Sequence, residues 1–251
     1  MKFTNRIADC DKLQQKIRGC RPLSADEIRQ LREYYRIGLT WSSNALEGNS
    51  LTETETKVVL EDGITIGGKP LRDHYEATGH SEAYDLLHRL AGGETIGEAD
   101  ILALHRLFYH RIDEQNAGRY RTVRIIVTGA DTAFPPPSRI KTLMKRFVGG
   151  IQALHELYHP VEVAALLHAR LVNIHPFVDG NGRAARLLMN LSLMQSGYPI
   201  TVIPPILRAE YLDAVKAGNR ENFAPFIIFI SIMVYEGQKE YLRLLKDLGV
   251  R

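Results

Sequence analysis

The chain has little cysteine, a single tryptophan, almost no net charge and no apolar run of membrane-spanning length. Cys10 and Cys20 are the only two cysteines among 251 residues. They have no metal-like partners nearby, which argues against a cysteine-based zinc site, and both read as reduced cytosolic thiols, with nothing in the sequence supporting the one disulfide they could form. The longest apolar stretch, residues 223–235, falls short of the about 20 residues that a transmembrane helix needs, so a buried helix is expected there and no membrane association. The opening residues Met1-Lys2-Phe3-Thr4-Asn5-Arg6 lack the apolar core of a signal peptide, which makes cytoplasmic the default location. A net charge of +3 is too small to argue for nucleic acid, and the nine histidines are scattered. A C-terminal winged-helix domain would not fit before Arg251, so DNA binding is not expected. Repeats, low-complexity segments and linkers are missing as well, which leaves one ordinary soluble unit able to bury a sizeable core.

What is present is mostly helix. Ser24-Ala25-Asp26-Glu27 has the form of a capping box and is followed by Ile28, Leu31, Tyr35 and Leu39 at helical spacing. A further helical segment is expected over residues 40–46, stopping at Glu47-Gly48-Asn49, where glycine accepts the left-handed conformation that ends helices. Helical patterns recur at about 73–90, 98–111, 138–157, 161–174, 182–196, 208–217 and 221–246. Residues 121–127 differ, being rich in β-branched side chains, with turn chemistry after them and then Phe134-Pro135-Pro136-Pro137. The expectation is a short β-hairpin, or flap, in an otherwise all-α chain.

The most informative run is residues 175–190, which opens His175-Pro176-Phe177-Val178-Asp179-Gly180-Asn181-Gly182-Arg183 and continues to Arg186. Ala164, Leu167, Leu171 and Ile174 lay an apolar stripe on a helix leading to His175, which Pro176 should terminate. Helix then resumes after Gly182, so a glycine-rich loop opens onto a helix N-terminus with its unpaired N–H groups and positive dipole end. Arg183 and Arg186 share one face and carry guanidinium forks that suit phosphate oxygens. The Asp179 charge would repel phosphate unless a divalent cation, Mg²⁺ for oxygen ligands of this kind, lies between them. His175 at the edge of the cradle is suited to take a proton from an attacking hydroxyl. A surface turn needs none of this conjunction, and a polyphosphate site does.

This run resembles the signature of the Fic family, His-x-Phe-x-(Asp/Glu)-Gly-Asn-Gly-Arg-x-x-Arg, at all of its specified positions, and the resemblance extends to the helices and flap on both sides. It implies a mainly helical Fic-fold enzyme that transfers AMP from ATP to a Ser, Thr or Tyr hydroxyl of a target protein. On that resemblance His175 is the general base, Phe177 anchors the loop and Asp179 holds Mg²⁺. Gly180, Asn181 and Gly182 form the anion nest, and Arg183 and Arg186 bind the β- and γ-phosphates. The related Doc-type kinases carry lysine where this chain has Gly182, which favours AMP transfer over phosphorylation.

Ser43-Asn44-Ala45-Leu46-Glu47-Gly48 resembles the family's inhibitory motif, (Ser/Thr)-x-x-x-Glu-(Gly/Asn). Glu47, expected in the last turn of its helix where the dipole disfavours an anion, needs a cationic partner, and the family supplies it as the second signature arginine, Arg186. Ser43 would steady Glu47. By the same analogy Val123, Ile125, Ile126, Val127 and Thr128 hold the target segment by strand addition, while Tyr211 and Asn219 contact the adenine. Glu221 and Asn222 depart from the family's usual Gly-Asp there. The implied organisation is residues 1–60 as N-terminal helices, including the inhibitory one, packed on a catalytic unit of residues 61–251. Implied partners are ATP, a target protein, the chain itself through self-modification, and a second copy in a homodimer. Two alternatives stand beside it: removal of AMP from a modified protein by the same residues with Glu47 positioning water, and a catalytically silent interaction module that keeps the fold but needs neither His175 nor Asn181.

Overall fold

A computed structural model describes residues 4–126 and 133–250. Among them the regular secondary structure is helical: α1 (Ile7–Arg18), α2 (Ala25–Ala45), α3 (Glu53–Glu61), α4 (Leu71–Leu90), α5 (Glu98–Tyr109), α6 (Pro137–Gly149), α7 (Ile151–Leu157), α8 (Pro160–Ile174), α9 (Asn181–Gln195), a 3₁₀ turn (Pro205–Leu207), α10 (Arg208–Asn219) and α11 (Ala224–Asp247). No described helix is long and apolar enough to cross a membrane.

Helices α8 and α9 pack on each other as the central wall of the molecule. Val163, Leu167 and Leu171 of α8 and Leu187, Leu188 and Leu191 of α9 face a core shared with α4, α5 and α6. Val161, Ala165 and Ala169 of α8, with Met189 and Leu193 of α9, face a second core shared with α10 and α11. Helix α9 is thereby buried around almost its whole circumference. Such a helix is ordinarily apolar throughout, yet this one carries Arg183, Arg186 and Asn190. Asn190 accounts for itself by bonding both N–H and C=O of Thr201. The two arginines need partners from elsewhere, and finding them is what assembles the site.

Local signals set most helix ends. Ser24 and Glu27 form the expected reciprocal capping box. Gly48 takes φ +96°, with the Asn49 amide reaching back to the Asn44 carbonyl. Three expectations need correction. Residues 40–46 are not a separate helix but the end of a continuous α2, because burial of Leu31, Tyr35 and Leu39 offsets the roughly 1 kcal/mol cost of Gly38 inside it. Residues 138–157 are broken at Gly149-Gly150 into α6 and α7. Glu47 lies beyond the last turn, since α2 ends at Ala45 with Leu46 as its cap. Helices α1 and α3 were not foreseen.

The expected β-hairpin is absent from the described residues: 121–126 form bends and extended backbone with no strand pairing. Arg121 occupies this segment's start. Its buried guanidinium donates to the carbonyls of Val123 and Pro135, at 2.9 and 2.6 Å, tying the segment to the chain before α6. Val127 and Thr128 lie outside the described residues.

Candidate active site

His175 is the C-cap of α8, and its backbone is left-handed, φ 51°, ψ 59°. Pro176 bars the right-handed helical conformation from the preceding residue, and a non-glycine residue in the left-handed region costs about 1–2 kcal/mol. The surroundings hold it there: the His175 amide bonds Leu171, the Arg121 Nε donates to the His175 carbonyl at 2.8 Å, and the Arg121 amide donates to the Pro176 carbonyl at 2.9 Å. This turn swings the imidazole out of the helix and over Phe134, ring centroids 4.1 Å apart. Nδ1 sits 3.1 Å from the Val172 carbonyl. A carbonyl only accepts, so the proton is on Nδ1 and Nε2 carries a free lone pair. Burial pushes the imidazole pKa down to about 4, against the opposing pull of the Val172 carbonyl, and Arg121 lowers it further. The ring is therefore neutral at pH 7, as a base must be.

The loop below is held from inside. Phe177 is fully buried and stacks on His105 at 3.7 Å between centroids. Asn181 clasps Phe177 with its side chain, accepting from the Phe177 amide at 2.9 Å and donating to its carbonyl at 3.0 Å. Only the Asn181 backbone is thus left for an anion nest. His105 accepts from the Gly118 amide on Nδ1, so its Nε2–H donates to the Asp179 carbonyl at 3.0 Å. Gly180 takes φ +76°, and a Cβ there would strike the Phe108 ring. The first bond of α9 runs from the Ala184 amide to the Gly180 carbonyl, which leaves the amides of Asn181, Gly182 and Arg183 ahead of the helix ladder.

Arg186 is buried and fully engaged. Nε donates to Ser43 Oγ at 3.0 Å, Nη1 to the Tyr211 hydroxyl at 3.0 Å, and Nη2 to both the Ser43 carbonyl at 2.8 Å and Glu47 Oε1 at 2.7 Å. Burial pushes the Glu47 carboxyl up, but the charges of Arg186 and Arg183 outweigh this and hold it below the ordinary value. The turn carrying Glu47 is tied down on two sides: Arg208 Nε donates to the Leu46 carbonyl, and Asn49 donates to the Asp73 carbonyl and to Glu76. A Cβ on Gly182 would run into the Glu47 carboxylate. Glycine at 182 thus makes room for the Glu47–Arg186 pair.

Arg183 is paired with Glu76 at 2.9 Å beneath the loop, and Asp179 lies 3.9 Å away. Asp179 is about half exposed and takes Arg72 as a partner at 2.8 Å. The structure therefore brings His175, Asp179, Gly180, Asn181, Gly182, Arg183 and Arg186 together with Ser43 and Glu47. Tyr211, expected beside the adenine, is buried against Phe226 and Phe229, and its hydroxyl bonds Arg186 and His168. Asn219 ends α10, and its Oδ1 is buried with no hydrogen-bond partner, as is that of Asn173 on α8, whose Nδ2 donates to the Gly218 carbonyl. Val123 and Ile126 stand exposed at the flap and Ile125 is half-buried. A cavity of about 370 Å³ lined by Tyr35, Trp41, Leu207 and Met233 contains none of these residues.

Sequence reasoning missed Arg72, Glu76, Asn44, Asn49, His105 and Arg121. The available signal was on α4, where Asp73, Glu76 and His80 recur at helical spacing on the face that also carries Ala77, Tyr84 and Leu87, all buried.

The buried histidines have a consequence for stability. Burial drives His80 to about 3, His88 and His105 to about 4, and His168 well below its ordinary value, as it does His175. The unfolded chain binds these protons near pH 6.5 and the folded one does not, so stability is lost as pH falls from about 6.5 towards 4. Each such histidine contributes up to about 1.4 kcal/mol per pH unit in that window. Against a typical total of about 5–15 kcal/mol, the urea midpoint should drop steeply between pH 7 and pH 5. A midpoint unchanged or raised at pH 5 would contradict neutral burial of these rings.

Comparison with known proteins agrees with this geometry. The Fic/DOC family matches residues 95–193. Protein adenylyltransferase Fic of Drosophila virilis is 37% identical over 210 residues, which is 83% of this chain and 43% of that protein. The Drosophila melanogaster protein of the same name is 37% identical over 211 residues, 83% of this chain and 42% of its own length. The chain thus spans less than half the length of these curated relatives. Among solved structures, Fic-1 from C. elegans superposes with a TM-score of 0.86 at 31% identity, covering 96% of this chain and 72% of that one. A Fic domain containing signaling protein from Bacteroides thetaiotaomicron VPI-5482 gives 0.85 at 25% identity, covering 96% and 97%. With the signature intact and the fold shared along nearly its whole length, the chain belongs to the Fic/DOC family.

Proposed function

We propose that this protein is a protein adenylyltransferase that moves AMP from ATP to a Ser, Thr or Tyr hydroxyl of a target protein, and that Glu47 restrains it by occupying Arg186. In the reaction His175 Nε2 takes the hydroxyl proton while the hydroxyl oxygen bonds the α-phosphorus. The bond from that phosphorus to the bridging oxygen breaks, and pyrophosphate leaves. Positioning and charge neutralisation supply most of the rate in such a transfer. The observation that carries the reading is the Glu47–Arg186 contact at 2.7 Å, a carboxylate held on the guanidinium that faces the anion cradle. Relatives named as adenylyltransferases support the same chemistry.

The donor set bears on the metal. Among the described residues no group of three or more His, Cys, Asp or Glu side chains is placed to hold an ion. Asp179 alone, half exposed beside a helix N-terminus, suits a Mg²⁺ that arrives with the nucleotide, since Mg²⁺ is commonly bound by one or two carboxylates plus substrate phosphates. Bound there, it would screen phosphate from Asp179. The orphaned Oδ1 atoms of Asn173 and Asn219 suit an exocyclic amine such as that of adenine. Val123, Ile125 and Ile126, with Val127 and Thr128 beyond them, are assigned to target binding by strand addition. Residues 1–60 act as the control segment and 61–251 as the catalytic unit, in the cytoplasm, with a homodimer and self-modification as further expectations.

Labelling tests the reading. Protein incubated with ATP labelled on the α-phosphate should retain the label, and with γ-labelled ATP it should not. Retention of γ label alone would mean phosphoryl transfer. Release of AMP from a pre-modified target without incorporation would assign the same site to removal.

A further inference from the structure

Asp179 already holds a cation. Arg72, in the first turn of α4, donates from Nη2 to Asp179 Oδ2 at 2.8 Å, and its Nε donates to Glu76 Oε1 at 3.1 Å. The other Asp179 oxygen, Oδ1, accepts from the Gly180 amide at 2.7 Å. Oδ2 is the oxygen free of backbone contact, and Arg72 sits on it. A divalent ion and a guanidinium within hydrogen-bond range of one oxygen repel each other at a distance where salt screening is incomplete, so each weakens the other's hold. Glu76 is buried and fixed by Arg183 at 2.9 Å and Asn49 at 3.0 Å. It gives Arg72 a pivot: the Nε end keeps its bond while the Nη2 end swings away. The Arg72 side chain is 54% exposed, so this swing enters solvent without disturbing the core.

The geometry points to Arg72 as a resident occupant of the metal position, holding Asp179 in the nucleotide-free protein and giving way to the divalent ion that accompanies ATP. The inference rests on the reading of this site as an ATP site. It adds a second restraint at the opposite end of the cradle from Glu47, with Asp179 as its ligand rather than Arg186. A guanidinium that merely attracted phosphate would help ATP with or without metal. A guanidinium that competes with metal opposes it only when metal is present. The two roles therefore predict opposite signs for one substitution.

The test measures binding to the full chain and to its Glu47→Gly variant, each with and without Arg72→Ala or Arg72→Gln. ATP affinity is read by calorimetry in chelator and in Mn²⁺, and the bound ion is read directly from the electron paramagnetic resonance of Mn²⁺. Arg72 is a surface side chain, so both substitutions leave the fold intact. Loss of a pair this exposed should tighten Mn²⁺–ATP binding about two- to fivefold. Binding in chelator should stay the same or weaken. Weaker binding in both media makes Arg72 a phosphate ligand, and unchanged binding in both makes the ion pair idle; either overturns the proposal. No ATP binding by any of the proteins would instead sink the nucleotide-site reading, and this proposal with it.

Discussion

Glu47→Gly raises incorporation of α-labelled AMP roughly 10- to 100-fold over the wild-type chain. Arg186 makes all its bonds within the protein, and the one to Glu47 is the bond a phosphate oxygen would replace. A hydrogen bond to a charged group contributes about 1.5–3 kcal/mol, and each 1.4 kcal/mol is tenfold in an equilibrium. Removing the competitor therefore returns about that factor to productive ATP binding. The nucleotide-free variant should also be less stable, by about 1–2 kcal/mol, because a buried guanidinium loses its counter-charge; the figure is kept low since the Glu47 side chain is 36% exposed. ATP should restore more melting temperature to the variant than to the wild type. Glu47→Gln, which keeps the size and drops the charge, should fall between. Equal incorporation by wild type and Glu47→Gly would remove Glu47 from control.

His175→Ala, placed in the Glu47→Gly background, lowers incorporation by about 10²- to 10⁴-fold, the range of a lost general base, while ATP affinity changes little. The split follows from the geometry. The cradle amides, Arg183 and Arg186 owe nothing to the imidazole, whereas Nε2 is the free basic atom aimed out of the loop. The bonds from Arg121 to the His175 and Pro176 carbonyls do not involve the imidazole, so the substitution leaves these anchors of the loop in place. With a pKa near 4 in the free protein, His175 stays deprotonated from pH 6 to 8, and ATP dependence measured at low substrate should show no inflection from it in that range. Residual activity within a few-fold of the parent would assign the proton to another group. Loss of ATP binding in parallel would make His175 structural.

The helices were legible where periodicity and caps coincide. Ser24 with Glu27 starts α2, and Pro176 stops α8 at His175. The same kind of signal stands at Thr52 and Glu55, a capping box that opens α3, a helix of only 9 residues. α1 was obscured by its polarity, since only Cys10 and Gln14 of it are buried. The flap is a different case: β-branched residues at 121–127 suggest a ladder, residues 121–126 form none among the described residues, and the buried Arg121 takes the carbonyls of Val123 and Pro135. Propensity counts side chains along the chain, and it has no access to a partner folded in from another part of it.

By itself, then, the sequence decided which groups the site contains. A histidine before proline, a glycine loop opening a helix and two arginines three apart are local facts, enforced by backbone sterics and helical repeat whatever surrounds them. Only the tertiary structure decided which charge meets which. Arg186 on Glu47, Arg183 on Glu76 and Asp179 on Arg72 join residues far apart in the chain. These pairings arise because α2 and α4 pack on a helix, α9, that is buried all round and cannot leave its arginines unpaired. The sequence sets a glycine loop beside two arginines; the packing sets carboxylates on those arginines and an arginine on the loop's carboxylate.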